Sequence, residues 1–463
     1  MQNLQKSFQD VTIDMITSKY TFLTKKYKSG DLILVNYLSS SIDMIEKEEA
    51  EEFKNRLKLG SWDNYKFSDY LLERGYIFRN DAEEWEKIQE KYLEFTEEYE
   101  NTPIQLIFST SFICNFSCKY CFQEEYQNSK RIIDNEITDK FFEYINRKFQ
   151  NEKLKPYITI FGGEPLLGGE SYKKSLIYFL EKSVKYGYPI AIVTNGYELI
   201  QYVPEFKRLG VNIKEIQVTV DGDKEHHNKR RTTKSGKDSF DRIMDGIELA
   251  LKSGFRINIR SIVDKENINS LPNLAQYVKD RGFLNYSKSQ FESTLGRNYE
   301  LHTCQKTDKL YDRYHIWAEF FELASKYPVL KEYHSPQFHG MRYLSENGDL
   351  PLPIFDGCPA GKKEWAFDIH GYIYGCTASV GVEKFRLGSY VDQDYPVNEK
   401  QIQEWKSRDV LTVPECSTCS VSLSCGGGCG VLAYNEHGKI HGTNCRPVSE
   451  LVGIGAEYYG IGS

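Results

Sequence analysis

Cysteines carry most of the chemistry this sequence could do: 463 residues contain 11 of them. Cys114, Cys118 and Cys121 stand in CNFSCKYCF, a C-x3-C-x2-C spacing. Three thiolates in one loop can hold three irons of a 4Fe–4S cluster and leave the fourth open to a substrate. Structural zinc sites instead take four ligands, usually in paired C-x2–4-C form. Three unligated thiols would be the inert alternative. A second set runs Cys358-x12-Gly371-x4-Cys376, then Cys416-x2-Cys419-x5-Cys425-x3-Cys429, then Cys445. Seven thiols exceed one zinc site, and the spacing is not the two C-x2-C pairs of a zinc ribbon. Cys304, in LHTCQ, stands alone as a missing ligand, a gating thiol or a small buried hydrophobe. His226 and His227 near Asp221, and His370 before Gly371, read as polar contacts rather than bases.

These residues need elements to hold them. From 104 to about 300 strand and helix patterns alternate, which argues for parallel βαβ units. Expected strands are 104–110, 157–161, 190–194, 216–220 and 257–263, and expected helices are 136–149, 172–186, 240–252 and 270–281. About six units would make an open or partial barrel, with chemistry at the C-terminal strand ends. The first cysteine triplet directly follows the first strand. Beyond about 345 the chain is rich in Cys and Gly, and so small a core usually needs metals.

The first hundred residues read as a separate α+β unit. A strand is expected at 31–37, a charged helix at 47–58, and a helix over 67–77 ending at Gly75 before a short strand. Trp85, Ile88, Tyr92, Phe95 and Tyr99 recur at spacings of 3, 4, 3, 4, an apolar helical seam expected to pack on the next domain. The expected divisions are 1–100, 101–300, a bridge over 301–345, and 346–463.

Composition excludes other classes. Hydrophobic residues are 40% and charged residues 27%, ordinary for a globular chain. Mean hydropathy is −0.54, and no apolar run approaches a bilayer span. The N-terminus lacks a basic segment followed by an apolar one, so no secretory signal is expected and the cytoplasm is the expected location. Structural disulfides are not expected there. The net charge is −7, held in the first hundred residues with 14 basic and 21 acidic side chains. The acidic excess over 81–100 reads as a solvated helix face or as a docking surface for a basic partner. No basic stripe suggests nucleic-acid binding.

With Tyr120 in the aromatic position, C-x3-C-x-Tyr-C resembles the signature of radical S-adenosylmethionine (SAM) enzymes. Their open iron chelates SAM, whose reductive cleavage gives a 5′-deoxyadenosyl radical. Other positions match in order along the chain. Gly162-Gly163-Glu164-Pro165 is similar to the family's GGEP element, so backbone and Glu164 are implied at the SAM amino group. Thr194-Asn195-Gly196 resembles its TNG element. Thr219-Val220-Asp221-Gly222 resembles S-x-D-G, with a Thr where Ser is usual. Arg231 and Arg260 are then candidates for the SAM carboxylate, since Arg offers a bidentate fork; a structural ion pair is the alternative for each. The seven C-terminal cysteines and Gly371 resemble the SPASM extension, which binds two auxiliary 4Fe–4S clusters. That resemblance implies Cys358, Cys376 and Cys429 at cluster I, and Cys416, Cys419, Cys425 and Cys445 at cluster II. Some relatives carry a fourth cysteine for cluster I shortly after the first; here that stretch is PAGKKEW, without one.

The resemblance implies an α/β fold: a partial (β/α)6 TIM-like barrel, a winged-helix-like N-terminal domain and a Cys-rich iron–sulfur domain. It implies three 4Fe–4S clusters, SAM, a precursor peptide with a leader held as an added strand, and an electron donor such as flavodoxin or ferredoxin. No nucleic-acid or membrane partner is expected. The leading function is maturation of a ribosomally made peptide by an intramolecular cross-link, preferably Cys-sulfur-to-carbon because cluster I lacks a fourth cysteine. Carbon–carbon cross-linking and anaerobic sulfatase maturation are the alternatives. A non-catalytic iron–sulfur carrier would have no use for the GGEP and TVDG elements.

Overall fold

A computed structural model describes residues 15–121, 123, 129–298 and 307–462. Cys304 lies outside them.

The N-terminal unit holds β1 (Ile16–Thr17), β2 (Thr21–Lys25), β3 (Leu32–Asn36), β4 (Ser41–Ile45), α1 (Ala50–Leu59), α2 (Ser68–Glu73), β5 (Ile77–Phe78) and α3 (Asp81–Glu100). The expected strand is β3, and every one of its residues is buried. It is flanked by two strands that were not expected, and β2–β3–β4 form an antiparallel sheet. The two helices start later than expected. The second stops before Gly75, whose φ of +70° starts the turn into β5.

The middle of the chain alternates β6 (Gln105–Ser109), α4 (Asn135–Lys148), β7 (Tyr157–Phe161), α5 (Glu170–Tyr186), β8 (Ile190–Thr194), α6 (Leu199–Leu209), β9 (Ile213–Thr219), α7 (Lys224–Arg230), α8 (Phe240–Lys252), β10 (Ile257–Val263), α9 (Leu271–Asp280) and β11 (Phe291–Arg297). Strands β6 to β11 are parallel and lie side by side in chain order. Apolar runs such as Leu106–Phe108 and Ile158–Ile160 are fully buried, as a parallel sheet covered by helices requires. Helix α4 shows how the cover forms. Asp134 caps it by accepting from Ile137 N–H at 2.8 Å, and Ile137, Phe141, Phe142 and Ile145 bury one face. Phe141 meets Phe108 of β6 with ring centroids 4.5 Å apart.

The C-terminal part contains α10 (His315–Lys326), α11 (Val329–Tyr333), α12 (Met341–Asn347), β12 (Glu364–Asp368), β13 (Tyr372–Tyr374), β14 (Arg386–Ser389), α13 (Glu399–Lys406), α14 (Pro414–Ser417), α15 (Ser422–Cys425), α16 (Gly430–His437) and α17 (Val448–Tyr458). Strand β12 adds to the free edge of β6 in parallel, and β13 and β14 follow antiparallel, giving a nine-stranded sheet. One sheet therefore joins the parallel core to the cysteine-rich part. Helix α17 returns to the N-terminal unit, where Gly453 sits so close to β2 that a Cβ would lie 2.0 Å from the Lys25 carbonyl.

Helix α3 packs differently from expectation. Its seam meets the cysteine-rich part: the rings of Tyr92 and Phe95 lie 5.1 and 5.7 Å from Phe355. Trp85, expected in the seam, is 49% exposed. Among the described residues no helix is long and apolar enough to cross a membrane.

Candidate functional site

The loop after β6 carries Cys114, Cys118 and Cys121 past the C-terminal ends of the parallel strands. The Gly162-Gly163-Glu164 turn after β7 is built against it. Gly163 N–H donates to the Ser111 carbonyl at 2.8 Å, and Glu164 N–H to that of Ile113 at 2.9 Å. A Cβ on Gly163 would lie 2.2 Å from the Ile113 oxygen; on Gly162, whose φ is +134°, it would lie 2.3 Å from the Ser111 oxygen. The two glycines let chain approach chain just before Cys114.

Glu164 is 1% exposed. Its carboxylate accepts from Leu166 N–H at 2.8 Å, from the Thr194 hydroxyl, and from Asn195 N–H at 2.7 Å. Burial pushes it up to about 7, against these hydrogen bonds and the charge of Arg231. The residue implied at the SAM amino group thus fastens the loop after β8 to the loop after β7. Asn195 extends the tie, donating from Nδ2 to Asn115 Oδ1 at 2.7 Å and lying 3.9 Å from Cys114 Sγ. Asn115 carried no signal in the sequence beyond its place between cysteines.

A second network starts at the end of β9. The Tyr120 hydroxyl donates to Asp221 Oδ2 and accepts from Arg231 Nη1. Arg231 and Asp221 are 3.9 Å apart, and both are buried. Asp221 Oδ1 accepts from Ile262 N–H at 2.8 Å. Asp221 N–H donates to His227 Nδ1 at 3.2 Å, so Nε2 carries the proton and faces Ser239 Oγ at 3.1 Å. Burial and Arg231 hold His227 well below the ordinary histidine range, and it stays neutral. It is a structural acceptor. His226 sits against Asp223 at 2.7 Å, and the His370 ring stacks on Phe112 at 5.9 Å. Arg230, not singled out in the sequence, pairs with buried Asp264 at 2.8 Å and lies 5.1 Å over the Tyr120 ring. Thr219 and Arg260 are register partners across β9 and β10, and the Arg260 guanidinium lies over Gly296 of β11.

Burial pushes the Cys114 thiol up to about 12 and the Cys118 thiol up to about 11, while Arg231 pulls both down. A ligating thiol must lose its proton, so an iron centre and this cation favour the same state. Among the described residues no three His, Cys, Asp or Glu side chains converge on a single-ion position. A 4Fe–4S cluster takes its thiolates at separate corners, and an all-sulfur donor set suits it.

The C-terminal thiols influence one another. Burial, Glu364 and the charges of Cys358 and Cys429 hold the Cys376 thiol well above the ordinary range. Burial pushes Cys416 up to about 11, with Cys425, Cys419 and Cys445 adding to it. Half-buried Glu364 accepts from the backbone and hydroxyl of Thr377 at 2.9 and 3.0 Å, next to Cys376.

Residues 108–278 match the family model of the radical SAM superfamily. The chain carries a radical SAM domain. Its sequence is 34% identical over 184 residues to a serine-type anaerobic sulfatase-maturating enzyme of Bacteroides thetaiotaomicron, covering 38% of this chain and 41% of that one. It is 25% identical over 330 residues to the cysteine-type enzyme of Clostridium perfringens, covering 68% of this chain and 85% of that one. The fold is similar to the solved structure of native anSMEcpe with bound AdoMet, with a TM-score of 0.56 and 18% identity over 77% of this chain and 96% of that one. It is also similar to Streptococcus suis SuiB bound to precursor peptide SuiA, with a TM-score of 0.53 and 15% identity over 94% of this chain and 99% of that one.

Proposed function

We propose that this radical SAM enzyme matures a ribosomally made peptide by an intramolecular cross-link, preferably from a cysteine sulfur to a carbon. The observation that carries this reading is the N-terminal sheet. Among the described residues β4 pairs on one side only, with β3, while α17 packs on β2. An open edge strand takes an extended leader peptide by main-chain pairing, whatever most of its side chains are. The likeness to SuiB spans 94% of this chain, against 77% for the sulfatase maturase. The finer architecture is read in the same way: a winged-helix-like unit at 1–100, a partial barrel over the six parallel strands, and a SPASM-type unit from about 346.

Cys114, Cys118 and Cys121 would hold the cluster that binds SAM. With SAM bound, that centre supplies a radical able to abstract hydrogen from carbon. The chain's own residues set its geometry. Glu164 locks the loops after β7 and β8 together, and the Tyr120–Asp221–Arg231 network presents a fixed cation beside Cys118 for a carboxylate. Cys358, Cys376 and Cys429 would hold one auxiliary cluster, and Cys416, Cys419, Cys425 and Cys445 the other, fully ligated. Three thiols at the first leave room for a substrate thiolate, which favours the thioether. That bond removes two hydrogens from the peptide, one as an atom from carbon and one as a proton from the thiol. One electron is left over, and the auxiliary cluster that Cys358, Cys376 and Cys429 would hold is the one-electron acceptor for it.

The test is anaerobic co-expression with the short open reading frame beside the gene. Loss of two hydrogens with one fewer alkylatable cysteine is expected. Loss of two hydrogens with every cysteine free would give a carbon–carbon bond. The sequence likeness to sulfatase maturases supports a second reading: an unchanged peptide alongside oxidation of a sulfatase-derived cysteine peptide would replace the first with it.

A further inference from the structure

Arg408 follows α13 and is 0% exposed. A guanidinium stays charged in any protein, yet all four of its hydrogen bonds go to main-chain carbonyls. Nε donates to Ile440 at 2.8 Å, Nη1 to Gly428 at 3.3 Å, and Nη2 to Gly427 at 2.5 Å and Gly442 at 3.2 Å. The nearby buried acid, Asp356, is taken: Lys362 Nζ pairs with it at 2.5 Å and also donates to the Arg408 carbonyl at 2.8 Å. Among the described residues no carboxylate pairs with Arg408. A buried cation without an anion is strongly unfavourable.

Its surroundings are the cysteines of the proposed auxiliary sites. Gly427 and Gly428 belong to Cys425-Gly-Gly-Gly-Cys429, which links the proposed four-thiol site to the proposed three-thiol site. All three glycines have positive φ, of +64°, +79° and +71°, a conformation that side chains resist. The loop thus turns two of its carbonyls onto one guanidinium. That loop also lies against Cys358: a Cβ on Gly430, the residue after Cys429, would be 3.5 Å from Cys358 Sγ.

We propose that Arg408 is the internal counter-cation shared by the two C-terminal iron–sulfur sites, offsetting their negative charge and raising both reduction potentials. This rests on the two-cluster reading above. Reduction adds one negative charge to a cluster, so a fixed cation beside it favours the reduced form.

The experiment is an EPR-monitored redox titration of the anaerobically reconstituted full chain, with iron counted per chain. About twelve irons in the unsubstituted protein are expected for three 4Fe–4S clusters; about four would overturn the two-cluster reading itself and the proposal with it. In Arg408→Gln both auxiliary clusters should show an about tenfold lower reduced-to-oxidised ratio at a given poise, a fall of about 59 mV for one electron. In Arg408→Lys, which keeps the charge and loses the fork, the ratio should stay within about threefold. A role confined to bracing the carbonyls would lower iron content and leave the potentials of the clusters that do form unchanged. Full loading of Arg408→Gln with unchanged potentials therefore overturns the proposal. Should Arg408→Gln take up no auxiliary iron, Arg408→Lys decides: loading with unshifted potentials supports the counter-cation. A tenfold shift in Arg408→Lys, or failure to load, overturns it.

Discussion

The loop site around Cys114 and the cysteine-rich unit around Cys416 solve the same problem differently. At the first, the chain pairs its own buried charges. Glu164 has three donors, Asp221 has Tyr120, Ile262 and Arg231, and Arg230 has Asp264. At the second, a charge is left over. Single buried atoms without hydrogen-bond partners occur at both, Arg230 Nε and Arg231 Nε at the first and Trp405 Nε1, Ser422 Oγ and the Tyr99 hydroxyl near the second, but only at the second is a whole charge, Arg408, without an acid among the described residues. Buried polar groups in a finished fold are normally satisfied. The parallel sheet scaffolds the first site, whereas the second leaves a charge that the proposed clusters would offset.

The largest effects should come from removing ligands. Cys118→Ala should abolish SAM cleavage while the sheet keeps its stability to within about 1 kcal/mol, because that loop hangs on strands that fold without it. Cys416→Ala should instead lower amide protection across 410–444 by roughly 3 kcal/mol or more, because on the proposed reading metal binding there would be folding energy. Hydrogen exchange on both variants measures this. Equal protection losses in the two regions would erase the distinction.

Next comes the close approach beneath the first site. Gly163→Ala places a Cβ 2.2 Å from the Ile113 carbonyl, backbone against backbone. Destabilisation of about 3 kcal/mol is expected, with loss of iron from the adjacent loop. Denaturant midpoints and iron content check both.

Much of this arrangement is legible in the residues, and the gaps have physical causes. Strands β6 to β8 read clearly because strands of a covered parallel sheet have apolar centres, while β9, IKEIQVT, and β10, INIRSIV, show themselves by alternation. Strand β11, FESTLGR, is edge-like and polar. Strands β2, TFLTK, and β4, SIDMI, are short and gain their burial only from a sheet whose other strands lie elsewhere. Helix α6 contains Pro204, which reads as a break. At the site, short motifs in order pick out the cysteines, Glu164, Asn195, Asp221 and Arg231. They do not show that Glu164 spends its lone pairs on Leu166, Thr194 and Asn195. Arg408 sits in KSRDV with nothing local to mark it, because its partners are carbonyls brought in by folding.

Glu164 also makes a pH prediction with a definite sign. Its folded value of about 7 lies above the ordinary 4.5, so the folded state binds the proton more tightly. Its contribution to stability is fully present below pH 4.5, falls as pH rises through about 7, and is level above. The span is about 3 kcal/mol from the linkage of that shift. Urea midpoints of Glu164→Gln should lack this downward slope between pH 5 and 7.5. A slope equal to that of the unsubstituted protein would place the proton elsewhere.

The smallest effects come from a pair of hydroxyls, one in each region. Tyr120→Phe removes the group that bridges Asp221 and Arg231, leaving the two charges 3.9 Å apart and each short of one partner. The expected cost is about 1–2 kcal/mol in stability. If Arg231 meets the SAM carboxylate, an affinity loss of about fivefold follows from roughly 1 kcal/mol of misplacement, measured by calorimetric titration of SAM. Tyr99→Phe removes a buried hydroxyl that has no hydrogen-bond partner and whose surroundings include Asp356, Cys358 and Glu364. Deleting an unsatisfied buried group is neutral or stabilising by up to about 1 kcal/mol, so iron-free protein should lose nothing. A cost that emerges only after iron is loaded would mean the hydroxyl finds its partner at the bound centre. An equal cost with and without iron would mean its partner is protein, and this orphan would then say nothing of a bound centre.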